Sequence, residues 1–231
     1  MTCLLTAATA REIVPFLEHW KQSQKRNFIH IDVLITGIGL TAASHHITRQ
    51  LYIKRPDLVI QAGVGGCFNA KISLGSVVVV KQETIADQSV IEMKKLKTLF
   101  DLKLVPHDQY PFKKGWLVNP YTDILKKTQL KPVKGISVNE ITTDKQKIKF
   151  YKNYFKPVVE SMEGAALHYV CLMENVPFVQ LRSISNYIGE RDKRKWDLQK
   201  SVANLNDQLI RFVETLNEQY SAGGINPDDG Y

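Results

Sequence analysis

The sequence predicts an α/β fold: a single-domain three-layer α/β/α arrangement around a central mixed, largely parallel twisted sheet. Strand-like apolar runs alternate with segments of helical periodicity along the chain. The 231 residues suffice for one substantial core and fall short of two full domains. No internal repeat or linker divides them.

Residues 3–8 read as a first buried strand. Thr9-Ala10-Arg11-Glu12 then fits a capping box, opening a helix that runs towards Trp20. Residues 29–36 read as a second strand, and Gly37-Ile38-Gly39 turns into a helix over about 41–54. A third strand, 57–62, ends in Gly63-Val64-Gly65-Gly66, and a valine-rich fourth covers 74–83. The segment 88–112 has no clear period. Further strands are predicted at 116–119, 133–138 and 177–185, with helices at 143–155, 162–175 and 197–218. A Gly/Pro/Asp-rich tail follows, so the domain is expected to span 1–218 and the tail, 219–231, to be disordered. In such sheets ligands bind beyond the carboxyl ends of strands. Glu12, Gly63 to Gly66 and Asn186 are expected there, and Glu163 is expected to open a helix.

Apolar content of 44% and charged content of 23% are ordinary for a globular protein. The net charge of +8 is spread over several lysine-rich segments. A nucleic-acid module would concentrate Arg and aromatics on one element, so the charge reads as solvated surface and no nucleic-acid partner is expected. Cys3, Cys67 and Cys171 lack zinc-ligand spacing and read as buried thiols of a reducing cytoplasm. The histidines show no metal spacing either. Residues 1–10 lack a basic start, and no apolar run approaches membrane-spanning length, so neither a signal peptide nor a membrane partner is expected.

Each candidate motif has a plain alternative. Gly37-Ile38-Gly39-Leu40-Thr41-Ala42 matches a dinucleotide-binding pattern, but Asp57 opens its strand instead of closing it, so a tight turn is the reading and no nicotinamide cofactor is expected. Gly63-Val64-Gly65-Gly66 lacks the Lys-Ser/Thr of a P-loop; it serves close ligand approach or a positive-φ turn. Glu12 is explained by its cap, and Glu163 by the field at a helix start. The small residues Gly164, Ala165 and Ala166 would bury Glu163, and a ribose hydroxyl pair supplies the donors a buried carboxylate needs. The Asn186 amide is a turn residue or a reader of a 6-oxopurine edge, whereas Asp there would suit adenine. The charged loop 189–196 is surface, or a cap on the site in which Arg191 or Arg194 pairs with a substrate carboxylate.

Taken together, residues 8–12, 36–39, 62–66, 74–79, 161–166 and 184–186 resemble the nucleoside phosphorylase and nucleosidase superfamily, over nearly all of 1–218. Residues 161–166 and 185–192, with Trp196, resemble its futalosine hydrolase branch, nucleosidases of menaquinone biosynthesis. The resemblance implies that fold, a purine nucleoside as the small-molecule partner, no cofactor or metal, and a homo-oligomer. It assigns Glu12 to the attacking water, Met162 and Glu163 to the ribose, Gly63 and Val64 to the substrate side, and Asn186 to a hypoxanthine leaving group. Gly63 stands where the adenine-specific branch has Ser. Phosphorolytic relatives carry a Gly-rich, Arg-bearing loop after the first strand; Ala7-Ala8-Thr9-Ala10 has no glycine, which implies water as nucleophile. A related nucleosidase or phosphorylase acting on inosine or methylthioadenosine/adenosylhomocysteine, a basic nucleic-acid-binding module, or a nucleoside-binding protein without activity are the competing readings. Phe150, Tyr151 and Phe155 are candidates to stack on the base, with core packing as their plainer role.

Overall fold

The computed structural model describes residues 1–23 and 28–222. Its strands are β1 (Thr2–Ala7), β2 (His30–Ile35), β3 (Leu58–Cys67), β4 (Val77–Glu83), β5 (Ser89–Glu92), β6 (Lys95–Thr98), β7 (Phe112–Lys113), β8 (Trp116–Val118), β9 (Pro132–Ser137), β10 (Val159–Ser161) and β11 (Phe178–Tyr187). The helices are α1 (Val14–Gln22), α2 (Leu40–Ile53), α3 (Thr122–Lys127), α4 (Lys145–Tyr154), α5 (Gly164–Met173) and α6 (Leu198–Ala222). α6 runs four residues beyond the expected end of the domain; residues 223–231 of the expected tail lie outside the described residues. No helix among the described residues is long and apolar enough to cross a membrane.

Nine strands form one mixed sheet, and β5 pairs with β6 as a separate hairpin inside the segment that had no clear period. β1 lies between β2 and β3, parallel to both. β3 runs parallel to β11 along most of its length. The sheet then curls on itself: β11 pairs with β4, β4 with β9, β9 with β10, and β10 returns to the end of β3 at Gly66 and Cys67.

Alternate residues of the central strands feed two cores. Cys3, Leu5, Leu58, Ile60, Val179 and Leu181 pack with Phe16 of α1 and with Leu205, Leu209 and Phe212 of α6. Leu4, Val59 and Phe178 face the other way, onto α2 and α5. Burial on both faces explains the nearly continuous apolar runs. Each fully buried Leu, Ile or Phe contributes about 1.5–3 kcal/mol.

Two expectations are corrected. Gly63 to Gly66 do not follow β3; they form its second half, and none has positive φ. They are small because partners fill the space. A Cβ on Gly63 would sit 2.1 Å from Arg182 Nη1, one on Gly65 2.7 Å from Val159 Cγ2, and one on Gly66 2.4 Å from Ile188 Cδ1. Asn186 likewise lies inside β11, just past a bulge between Ile184 and Asn186. A bulge re-aims side chains without ending a strand.

Candidate active site

A cleft of about 850 Å³ opens where β1, β3 and β11 end. Glu12, Val64, Met162, Glu163, Asn186 and Arg191 line it, drawn from five separate stretches of sequence. That size suits a small organic ligand.

Glu12 reaches the cleft from a 3₁₀ turn, Ala10–Glu12, that follows β1. The expected helix is broken here because Pro15, which favours a first helical turn, restarts it at Val14. Glu12 does close its cap: Oε2 accepts from Thr9 N at 2.9 Å and from Thr9 Oγ1 at 3.2 Å. Its other oxygen, Oε1, accepts from Val64 N at 3.1 Å. Three donors fix the carboxylate. Of its roughly four lone-pair positions, about one remains for a ligand or water.

Glu163 is the N-cap residue of α5, one position ahead of the helix proper, but its side chain caps nothing. Ser161 Oγ accepts from Gly164 N at 3.2 Å and Ser137 Oγ from Ala165 N at 2.8 Å, so two serines satisfy the first helical N–H groups. Glu163 is thereby released towards the cleft. Its Oε1 accepts from Gly39 N at 3.1 Å, and its Oε2 lies 3.6 Å from Arg182 Nη2. The Gly37-Ile38-Gly39 turn, with φ of 77° at Gly37 and 95° at Gly39, thus delivers a donor to Glu163 as well as opening α2.

Asn186 is half-buried, with Oδ1 accepting from Ser185 Oγ at 2.9 Å and Nδ2 donating to Tyr187 O at 3.3 Å. One N–H and one lone pair stay available to a ligand. Across Gly66, in the same register row, lies Glu160. Its Oε1 accepts from Thr142 N at 3.2 Å, Oε2 has no partner among the described residues, and burial pushes its carboxyl above the usual range.

Of the two candidate arginines the cleft takes one. Arg191 lines it, with its guanidinium 5.6 Å from the centre of the Trp196 ring. Arg194 does not: its side chain is 90% exposed and grips Asp192 through Nε and Nη2. Gly63 is also off the wall, packed between Arg182 and Glu12, while its neighbour Val64 is on it. Tyr151 and Phe155 are buried in a satellite core, with Phe150 packed against it; none of the three lines the cleft.

Arg182 carries no role in the sequence analysis. It is 1% exposed, donates to Gln61 Oε1 at 2.7 Å and faces Glu163. The signal was available: Gln180 and Arg182 are long polar side chains at alternate positions, set among the apolar Phe178, Val179, Leu181 and Ile184. Arg11, Ile38 and Glu160 on the cleft wall were missed as well, because nothing in the local pattern marks them.

Comparison with known proteins gives three results. The family model of the phosphorylase superfamily matches residues 27–217. Futalosine hydrolase of Streptomyces coelicolor is 26% identical over 191 residues, which cover 80% of this chain and 79% of that protein. Among solved structures, a Helicobacter pylori MTAN mutant with 5'-methylthioadenosine in its active site superposes with a TM-score of 0.75 at 22% identity, covering 92% of this chain and 98% of that one. Futalosine hydrolase of Helicobacter pylori superposes with a TM-score of 0.74 at 21% identity, covering 93% and 97%. At these identities the two structures show a shared fold.

Proposed function

The chain belongs to the phosphorylase superfamily, and on that footing we propose that it is a nucleosidase that hydrolyses the N-glycosidic bond of futalosine and releases hypoxanthine. The observation that carries the reading is the meeting of Glu12, Glu163 and Asn186 on one cleft. A futalosine hydrolase among its relatives and a methylthioadenosine-bound structure among its fold neighbours support it.

In this mechanism the bond from C1′ to the base nitrogen breaks and a C1′–OH bond forms. Glu163 accepts hydrogen bonds from the ribose hydroxyls, and Met162 packs on the sugar. The negative charge of Glu163 stabilises the positive charge that develops on the ring. Arg182 and Gly39 N–H hold Glu163 in place but leave lone pairs for the sugar. Glu12, fixed by Thr9 and Val64, presents its open lone pair to a water and takes its proton. The base leaves with the bonding electron pair; Asn186 donates to it and spreads its charge, solvent water then protonates it, and Glu12 returns its proton to solvent. Arg191 meets the carboxylate of the substrate's aromatic tail, a role no longer shared with Arg194. The enzyme acts in the cytoplasm as a homo-oligomer; Val33 and Ile35 of edge strand β2 and Ile38 at the cleft leave apolar surface for a second copy.

One observation favours a second reading. Arg11 lies on the cleft wall beside Glu12, where a phosphate nucleophile would need a cation. Incubating the protein with futalosine and with inosine, with and without phosphate, separates the two by chromatography. The expected result is hypoxanthine from futalosine at a rate that phosphate leaves unchanged. A sugar phosphate product would establish phosphorolysis, and no base release from either nucleoside would reject both.

A further inference from the structure

Behind the cleft, on the far side of Glu163, lies a second carboxyl that the mechanism above does not use. Glu83 closes β4 and is fully buried. Its Oε1 accepts from Gln180 Nε2 at 3.0 Å, and its Oε2 from Ser137 Oγ at 3.3 Å. Ser137 in turn accepts from Ala165 N in the first turn of α5. Two glycines are shaped around this group. A Cβ on Gly164 would fall 2.2 Å from Glu83 Oε1, and one on Gly135 2.4 Å from the same atom. Gly164 immediately follows Glu163.

We propose that Glu83 is a positioning residue: through Ser137, Gln180 and the start of α5 it fixes Glu163 against Arg182 at the cleft. The proposal rests on the reading of Glu163 as the ribose ligand.

Two charged groups act on Glu83, Arg182 on β11 and Glu163 at the head of α5. His168, one turn further along that helix, shares the neighbours Gln180 and Arg182 with Glu83. His168 is fully buried and bonds Leu117 O through Nδ1 at 3.0 Å; burial lowers its pKa to about 4, so near neutrality it supplies no charge. Arg182 alone offsets Glu163. A proton on Glu83 keeps this group of side chains neutral, and its loss leaves one negative charge unmatched in the interior. The two carboxylates then repel, and the Arg182 charge is divided between them. Burial raises the Glu83 pKa from 4.5 to about 7, against the opposing pull of Gln180, Arg182 and Ser137. Because the folded value is raised, the protonated carboxyl favours the fold fully below about pH 4.5. That advantage is lost as pH rises through about 7.

The test is the pH profile of kcat/KM for the riboside in the wild type and in Glu83→Gln, which is neutral at every pH. The wild type should lose about tenfold per pH unit above neutrality, and E83Q should lack that limb. A limb left in place by E83Q overturns the proposal. Ser137→Ala keeps the carboxyl but cuts its link to α5; it should lower kcat, and an unchanged kcat overturns the link even where E83Q does not fold. If the wild type cleaves no riboside, the proposed function fails, and the coupling is read from thermal melts instead. E83Q should then raise Tm at about pH 8 but not at about pH 5. The gain should shrink in a Glu163→Gln background, and an undiminished gain means that the two carboxyls do not sense each other.

Discussion

The two ends of the cleft are built differently. The inner end, proposed above to take the sugar and base, holds Glu12 and Glu163, which are fixed by hydrogen bonds from backbone groups, with a buried arginine facing Glu163. The outer end, by contrast, is the loop from Gly189 to Trp196, where Arg191 is exposed and rests over an indole ring. Four of that loop's five other charges pair with one another, Asp192 with Arg194 and Lys195 with Glu190. A preorganised end suits groups that must meet a transition state, and an adaptable end suits recognition of a substrate tail. Substitutions at the first end should therefore act on kcat, and those at the second on KM.

The largest expected effect is at Glu12. Glu12→Gln keeps the shape but removes the proton acceptor, so kcat should fall by about 10²–10⁴-fold while KM moves little. A variant that binds poorly and turns over normally would place Glu12 with the outer, recognition end and break the contrast.

A smaller change is expected at Asn186. Asn186→Asp exchanges an amide that donates to O6 or N7 for a group that only accepts when ionised. The ratio of kcat/KM for 6-oxo over 6-amino nucleosides should fall by about 10–100-fold, the worth of a hydrogen bond to a charged group. A ratio that does not move would mean the base is read elsewhere, with Glu160, across Gly66, the first residue to examine.

Strand and helix alternation made the layers legible, and the same pattern put Glu12 after a strand and Glu163 at a helix start. The closure of β3, β11, β4, β9 and β10 was not legible, since it depends on pairing register and on the three-residue strand β10. Glycines at 63–66 looked like a loop because glycine weakens strands. Only the packed positions of Arg182, Val159 and Ile188 show why a strand needs them. Buried polar partners share this property. Glu83 is 97 residues away from Gln180, which has Arg182 close by in sequence, and each looks out of place until the sheet brings them together. The rule that buried charges are paired said that partners must exist, but not which ones.

The smallest effect expected is at the outer end. Arg191→Ala removes an exposed cation whose pairing with a carboxylate is screened by solvent, so KM for futalosine should rise only about two- to fivefold with kcat unchanged. Inosine lacks the carboxylate tail, and its KM should not respond. Arg194→Ala serves as the matched control on the same loop: its guanidinium is occupied by Asp192 and it does not line the cleft, so neither constant should change. Steady-state kinetics of both variants with both nucleosides makes the comparison. An Arg191→Ala effect of equal size on inosine would show that the loop acts by closing the cleft and does not recognise the tail. A KM change from Arg194→Ala would show that the Asp192 pair opens when substrate arrives, which would make this end more adaptable still.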